Sequence, residues 1–371
     1  MANTDYAPEL KKADKPLVVV LKVPYGKKGG VQETVKRAMK MAAWNKFVKG
    51  KNIAIKVNLI SDQLIPGQCT SPWVLEGVLQ QILERKPNAS ITICDADLAA
   101  ARQCDKAAEI WGHKKLAEAY GARFVNLSKD KSVNVKLEGG WVLKEVEIPE
   151  IIMDADSIIT VPVLKTHALA TITCTLKHQW GIFNRAMRHQ YHLVFNRTIA
   201  DVNAAVKDKV RFALVDGTIG MEGNAPRTGH PRICNIVLAS SDLVACDIVA
   251  TKLMGIDPAM VEHIYTCATR GIGSLNYQLV SEVSNPLPWR PFALPDPEWH
   301  PIFFWELFLR RSVFKKLLFD TDMFKLMSWI ATQYNTVAWY ILRGKKYARE
   351  IFQDSYYGHE FKPLINMHKG S

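Results

Sequence analysis

Short β-rich runs alternating with amphipathic helices constrain this chain more than any other feature. Residues 17–23, 52–58, 90–95 and 123–127 read as strands, and helical patterns at 31–47, 72–84 and 105–120 lie between them. Strands joined through whole helices pair parallel, because a hairpin turn cannot hold so many intervening residues. The spacing therefore predicts an α/β fold on a mixed, mainly parallel sheet with flanking helices and right-handed crossovers. Pro72 suits the first turn of its helix, with Thr70 or Ser71 as cap. Sheets of this kind bind ligands beyond the carboxyl ends of their strands, where Lys56, Asn58, Asp95 and Asp97 stand. Asp95 and Asp97 serve equally as caps of the turn that follows. The Gly/Lys loop at 25–30 matches no phosphate-cradle spacing and reads as an ordinary connection.

The second half of the core carries the chemistry. Residues 130–147 alternate polar and apolar around Gly139-Gly140, the pattern of a hairpin. The apolar run 157–163 is a buried strand, and Pro162 cannot donate to a continuing ladder. The chain is expected to leave the sheet there, delivering Lys165 and His167, then Lys177, His178, Arg185, Arg188, His189 and His192. No packing requirement explains so dense a polar set after a core strand. Strand 211–216 leads into a second long loop, 217–231, with four glycines and Asp216, Glu222, Arg227 and His230 spaced among them. Strand 233–239 and helix 243–254 close the core, with Asp247 either a structural carboxylate or a site member.

With 371 residues, 48% of them apolar, the chain can bury a sizeable core. Its formal charge of +12 suits an anionic partner. The seven cysteines are scattered and never in C-x-x-C spacing, so no iron–sulfur motif is present, and Cys94, Cys174, Cys234 and Cys246 read as packed thiols. The N-terminus has no apolar core of a secretory signal, and a cytoplasmic location is expected. The organisation expected is an α/β core over 1–284, a proline-rich linker at 285–301 and a helical aromatic and basic extension over 302–371. Neither apolar run of the extension reaches about 18 uninterrupted residues. It suits a lid over the core, a homo-oligomer contact, or peripheral membrane contact through 302–346.

Three chemical uses fit these residues. In the first, lysines and an arginine hold a carboxylate or phosphate of an anionic small molecule while His167 or Glu222 moves a proton. Crowded ammonium groups would depress one lysine pKa, making it a base or Schiff-base nucleophile. Lys165, His167, Lys177, Asp216 and Glu222 are the catalytic candidates, and Lys56, Asn58, Thr70, Asp95, Arg185, Arg188, His192 and Arg227 the substrate-binding ones. In the second, His167, His189 and His192, with a carboxylate such as Glu222, hold a divalent metal (zinc, iron or nickel). Surrounding cations oppose that arrangement. The third, nucleic-acid binding, lacks a recognised motif and is disfavoured.

The same residues resemble the uncharacterised family called domain of unknown function 362 (DUF362), over about 51–258. The resemblance rests on Lys56-Val-Asn58, Thr70, Cys94-Asp95, Val161-Pro-Val-Leu-Lys-Thr-His167, Leu176-Lys177 with Gly181, His192, Val215 to Gly223 with Gly229 and Pro231, and Ala239-Ser-Ser-Asp242 with Asp247. It implies a family suspected of being enzymatic, often fused to a ferredoxin-like segment whose cysteine cluster this chain lacks. His178 stands where asparagine usually follows the lysine. The resemblance implies a shared site and names no substrate.

Overall fold

The computed structural model describes residues 15–98, 102–184, 188–283, 290–296, 305, 308–319, 321 and 323–369. Strands β1 (Leu17–Lys22), β2 (Asn52–Lys56), β3 (Ser90–Asp95) and β4 (Arg123–Asn126) form where the apolar runs predict them. Helices Gly30–Met41 and Pro72–Arg85 fill two of the crossovers. The single helix expected at 105–120 is two, because Gly112 adopts a left-handed φ of 73° and breaks it. β5 (Ser132–Lys136) and β6 (Glu145–Pro149) form the antiparallel pair expected around Gly139-Gly140. The remaining strands are β7 (Ser157–Thr160), β8 (Val163–His167), β9 (Thr171–Thr173), β10 (Val210–Glu222), β11 (His230–Ser240) and β12 (Gln278–Ser281).

One sheet runs β12-β1-β11-β10-β7-β2-β3-β4, with β8 beside β10 and β9 beside β8. From β10 through β4 all neighbours are parallel. β11 is antiparallel to both β10 and β1. The fold is thus α/β with a mixed, mainly parallel sheet and a helical C-terminal region. Strand alternation sorts side chains between the two faces: Val18 and Val20 join one core, Val19 and Leu21 the other.

Two expectations about loops are corrected. After Pro162 the chain does not leave the sheet. It steps aside and resumes as β8, whose Val163 and Lys165 pair with Asp216 and Met221 of β10 across a register shift. The glycine-punctuated stretch after Asp216 is likewise strand as far as Glu222. Its glycines serve close approach rather than turning. A Cβ on Gly217 would come 2.7 Å from Ile236 Cγ1, and one on Gly220 2.7 Å from the Leu164 carbonyl oxygen. Opposite them Gly67 holds a φ of +82°, and any Cβ there would land on the Gly220 carbonyl oxygen. Gly67→Ala is therefore expected to lose at least about 2 kcal/mol in a urea melt, from backbone strain plus the clash. An alanine variant as stable as the parent would show that this loop can retreat.

The tail does not stand apart. Ile351, Tyr357, Phe361 and Leu364 lie within one of the two cores. Tyr357 stacks on Trp73 at 5.7 Å, and Phe361 meets Trp73 edge-on at 4.9 Å. The aromatic density that marked an extension is partly core packing brought in from the C-terminus. Most of the proline-rich stretch 285–301 lies outside the described residues. Its described part, 290–296, is pinned to the core by the burial of Phe292 beneath Arg232.

Candidate functional site

The carboxyl ends of β2, β3 and β7 converge on a buried polar layer. Lys56 donates to Asp95 Oδ1 at 2.8 Å, and both side chains are almost wholly buried. The other Asp95 oxygen accepts the Leu59 N–H at 2.6 Å. His178 lies against Lys56, its Nε2 3.0 Å from the Val57 carbonyl and its Nδ1 2.6 Å from Thr160 Oγ1. A carbonyl only accepts, so the ring proton belongs on Nε2 and the threonine donates to Nδ1. Burial, then the adjacent Lys56 ammonium, holds this histidine well below its ordinary pKa.

Next to this layer Lys165 rises from β8 with no accessible surface and donates to Asn58 Oδ1 and to the Gln68 carbonyl. Burial lowers its pKa to about 8. The neighbouring Cys69 thiol is pushed up to about 12, so it offers no counter-charge at neutral pH. Thr70 accepts the Asn58 N–H and donates to the Val161 carbonyl. Asp216 accepts from the Ser71 amide and from both the amide and hydroxyl of Thr218. Of the expected substrate-binding and catalytic groups, Lys56 thus pairs with Asp95, Asn58 meets Lys165 and Thr70, and Asp216 is engaged by Ser71 and Thr218.

Further groups gather around one ring, Phe195. His167 stacks on it at 5.9 Å, His192 meets it edge-on at 5.4 Å, Trp180 packs at 4.7 Å, and the Lys177 ammonium lies 5.6 Å from its centroid. His167 Nδ1 accepts the amides of Leu169 (3.0 Å) and Ala170 (3.2 Å). Its proton must then sit on Nε2, so the neutral ring only donates. Burial and then Lys177 keep it neutral, well below the usual histidine range.

Lys177 sits on the short helix Thr175–His178, and Asp247 fixes that helix. Its carboxylate accepts the Thr175 and Leu176 amides at 2.7 and 3.1 Å. Of the two roles open to Asp247, the structure assigns the structural one, with burial raising its pKa to about 6. Burial, then Lys165 and Arg188, lowers Lys177 to about 7. Lys177 and His167 keep some accessible surface although protein surrounds them, so the outer edge of the cluster meets solvent. Arg188 is tied to the Phe183 carbonyl at 3.0 Å and to the Asp97 carbonyl, while its buried Nε–H has no partner.

Other expected members lie elsewhere. Glu222 neighbours Met221, the partner of Lys165, and strand alternation turns it to the opposite face. There it accepts from Arg232, Arg290 and the Ala293 amide. Burial works against its ionised form, yet these bonds hold its carboxyl below the usual range. Glu222, expected to move protons with His167 at an anion held by the lysines, is thus turned away from them toward Arg232 and Arg290. Arg227 interacts with Asp62 and Cys69 on the side of the 61–69 loop. Arg185 and the side chain of His189 lie outside the described residues.

His167 fits the metal reading poorly, since its single lone pair already accepts two amides, and the His189 side chain of that reading lies outside the described residues. Among the described residues no three His, Cys, Asp or Glu side chains come together as a ligand set. A groove of about 960 Å³ lies between Leu64, Lys106 and the C-terminal helices at Tyr340, Arg349 and Phe352. None of the Phe195 group lines it. The groups with strongly shifted pKa values, Lys165, His167, Lys177 and His178, lie at the strand ends instead. Phe195, Trp180 and His178 were absent from the expected set. For the two aromatics no signal distinguished a hub from core; His178 was legible only as part of the cationic run.

Residues 53–252 match the family described as Domain of unknown function (DUF362), more than half of the chain. The chain belongs to the DUF362 family. The DUF362 segment spans β2 to the helix Leu243–Leu253 and contains every described member of the cluster. The protein is 25% identical over 249 residues to the thylakoid-associated protein sll1697 of Synechocystis sp., covering 65% of this chain and 74% of that one. It is also similar to the lactate racemase apoprotein from Thermoanaerobacterium thermosaccharolyticum, at 16% identity and a TM-score of 0.40. That likeness covers 64% of this chain and spans 57% of the racemase chain.

Proposed function

We propose that this DUF362 protein is an enzyme acting on an anionic small molecule, a carboxylate or phosphate, with Lys177 as its base or amine nucleophile. The observation that carries the reading is the group around Phe195: a lysine lowered to about 7, a histidine fixed as an Nε2–H donor, and a second imidazole. The Arg188 guanidinium, whose buried Nε–H has no partner, is close enough to lower the Lys177 pKa. A base is most effective when its pKa lies near the working pH, and burial brings Lys177 down to about 7. On taking a proton it becomes a cation beside the anion. The His167 Nε2–H stabilises negative charge that develops on oxygen. Lys165 supplies a second positive field from beneath.

The test is calorimetric titration with inorganic phosphate, then with a panel of small carboxylates and phosphate esters, on the full chain. Tight binding of one class is expected. It should weaken roughly 10-fold or more in His167→Ala, since hydrogen bonds to charged groups contribute about 1.5–3 kcal/mol. If no member of the panel binds, or if Lys165→Ala and His167→Ala both retain full affinity and turnover, the assignment fails.

A further inference from the structure

The helical region before the last helix leaves a long apolar ridge uncovered. Helix Met323–Gln333 continues as a π-helical stretch, Tyr334–Gly344, and then as helix Lys345–Asp354. One side of this rod is anchored: Trp339 packs with Ile65, Met221 and Ala225 against the core. On the other, Leu326, Ile330, Val337 and Ile341 recur at helical spacing, with Trp329 and Leu342 beside them, all at least half exposed. Val313, Phe314 and Leu317 of the preceding segment are also more than half exposed. Isolated exposed apolar residues need no explanation, but a continuous row of this size marks a contact surface.

Charge selects the occupant. Between residues 308 and 349 there are nine Lys and Arg and two Asp, a net +7 out of the chain's +12. Arg311, Lys315, Lys316, Arg343, Lys345 and Lys346 are exposed along the rod and the segment before it. A second copy would bring the same positive charge against this one, whereas an anionic bilayer surface supplies the opposite sign. No helix among the described residues is long and apolar enough to cross a membrane. An apolar row with flanking cations on such a helix lies in the headgroup region instead. We propose that this rod, with the basic segment before it, docks the protein on anionic lipid surfaces, the apolar ridge entering the headgroup boundary and the lysines and arginines meeting lipid phosphates. The proposal is independent of the role given to Lys177.

The experiment is co-sedimentation of the full chain with vesicles of phosphatidylcholine alone and of phosphatidylcholine with one third phosphatidylglycerol. The protein is expected to partition at least about 10-fold more onto the anionic vesicles, and less as salt rises. Trp329→Glu/Ile330→Glu, both at exposed positions, should abolish that binding with an unchanged melting temperature. Should this variant fold poorly, Lys315→Gln/Lys316→Gln is the second probe, at roughly fivefold loss per charge removed. The proposal is overturned if the parent ignores anionic vesicles or if well-folded variants of both kinds bind as tightly as the parent. It is equally overturned if the parent sediments as a dimer that Trp329→Glu/Ile330→Glu converts to monomer, since the ridge is then a self-association surface.

Discussion

Lys56→Met is expected to destabilise the protein by about 3–5 kcal/mol, one of the two largest effects of a single substitution anticipated here. The methionine fills much of the lysine's volume, so the loss is electrostatic. It leaves the buried Asp95 carboxylate with the Leu59 amide but no counter-ion. Gly181 packs close on the carboxylate side too: a Cβ there would come 3.2 Å from Asp95 Oδ1. Lys56→Met/Asp95→Leu should regain most of the loss, since an apolar pair often matches a buried ion pair in stability. Urea denaturation of the two single variants and the double variant measures the coupling. A Lys56→Met protein within about 1 kcal/mol of the parent would mean that water reaches Asp95.

Lys177→Met should leave stability intact while weakening ligand binding. Burial lowers the Lys177 and Lys165 pKa values to about 7 and about 8 from an ordinary 10.5. Between those values and 10.5 the folded chain holds fewer protons than the unfolded one, so parent stability rises with pH across this window. Lys177→Met removes its share of that slope and should melt no lower than the parent at pH 7. Anion affinity runs in the opposite direction. It is expected to be greatest below pH about 7 and to fall as pH rises through the free Lys177 value, up to about tenfold per unit. The variant should bind phosphate roughly 10- to 100-fold more weakly at pH 6.5, with a flatter pH profile. A variant that melts far lower and keeps the parent's pH profile would show Lys177 to be a packing residue.

The same residues show why the site was only partly legible. The run from Lys165 to His192 was conspicuous because charge following a core strand has no packing explanation. Which of those charges would face each other depended on strand alternation and register. Met221 and Glu222 are adjacent in the chain, yet the first pairs with Lys165 and the second turns to the arginines on the opposite face. Composition could not reveal that Thr70 and Asp216 would have their polar atoms engaged by backbone groups 91 and 145 residues away. Gly217 and Gly220 resembled loop residues because glycine permits both turning and close contact, and only the facing Ile236 and Leu164 show which applies.

Local pattern was enough for what is local. The strand–helix alternation determined the α/β class and the parallel order, since helical crossovers leave few other arrangements. It also placed Lys56 and Asp95 at strand ends. Packing between distant segments decided the rest: that β8 resumes beside β10, that Phe195 collects Lys177, His167 and His192, and that a helix from the far end of the chain completes a core begun at Leu17. Burial and charge crowding, which set the lysine pKa values, are properties of that packing, and no stretch of sequence carries them alone.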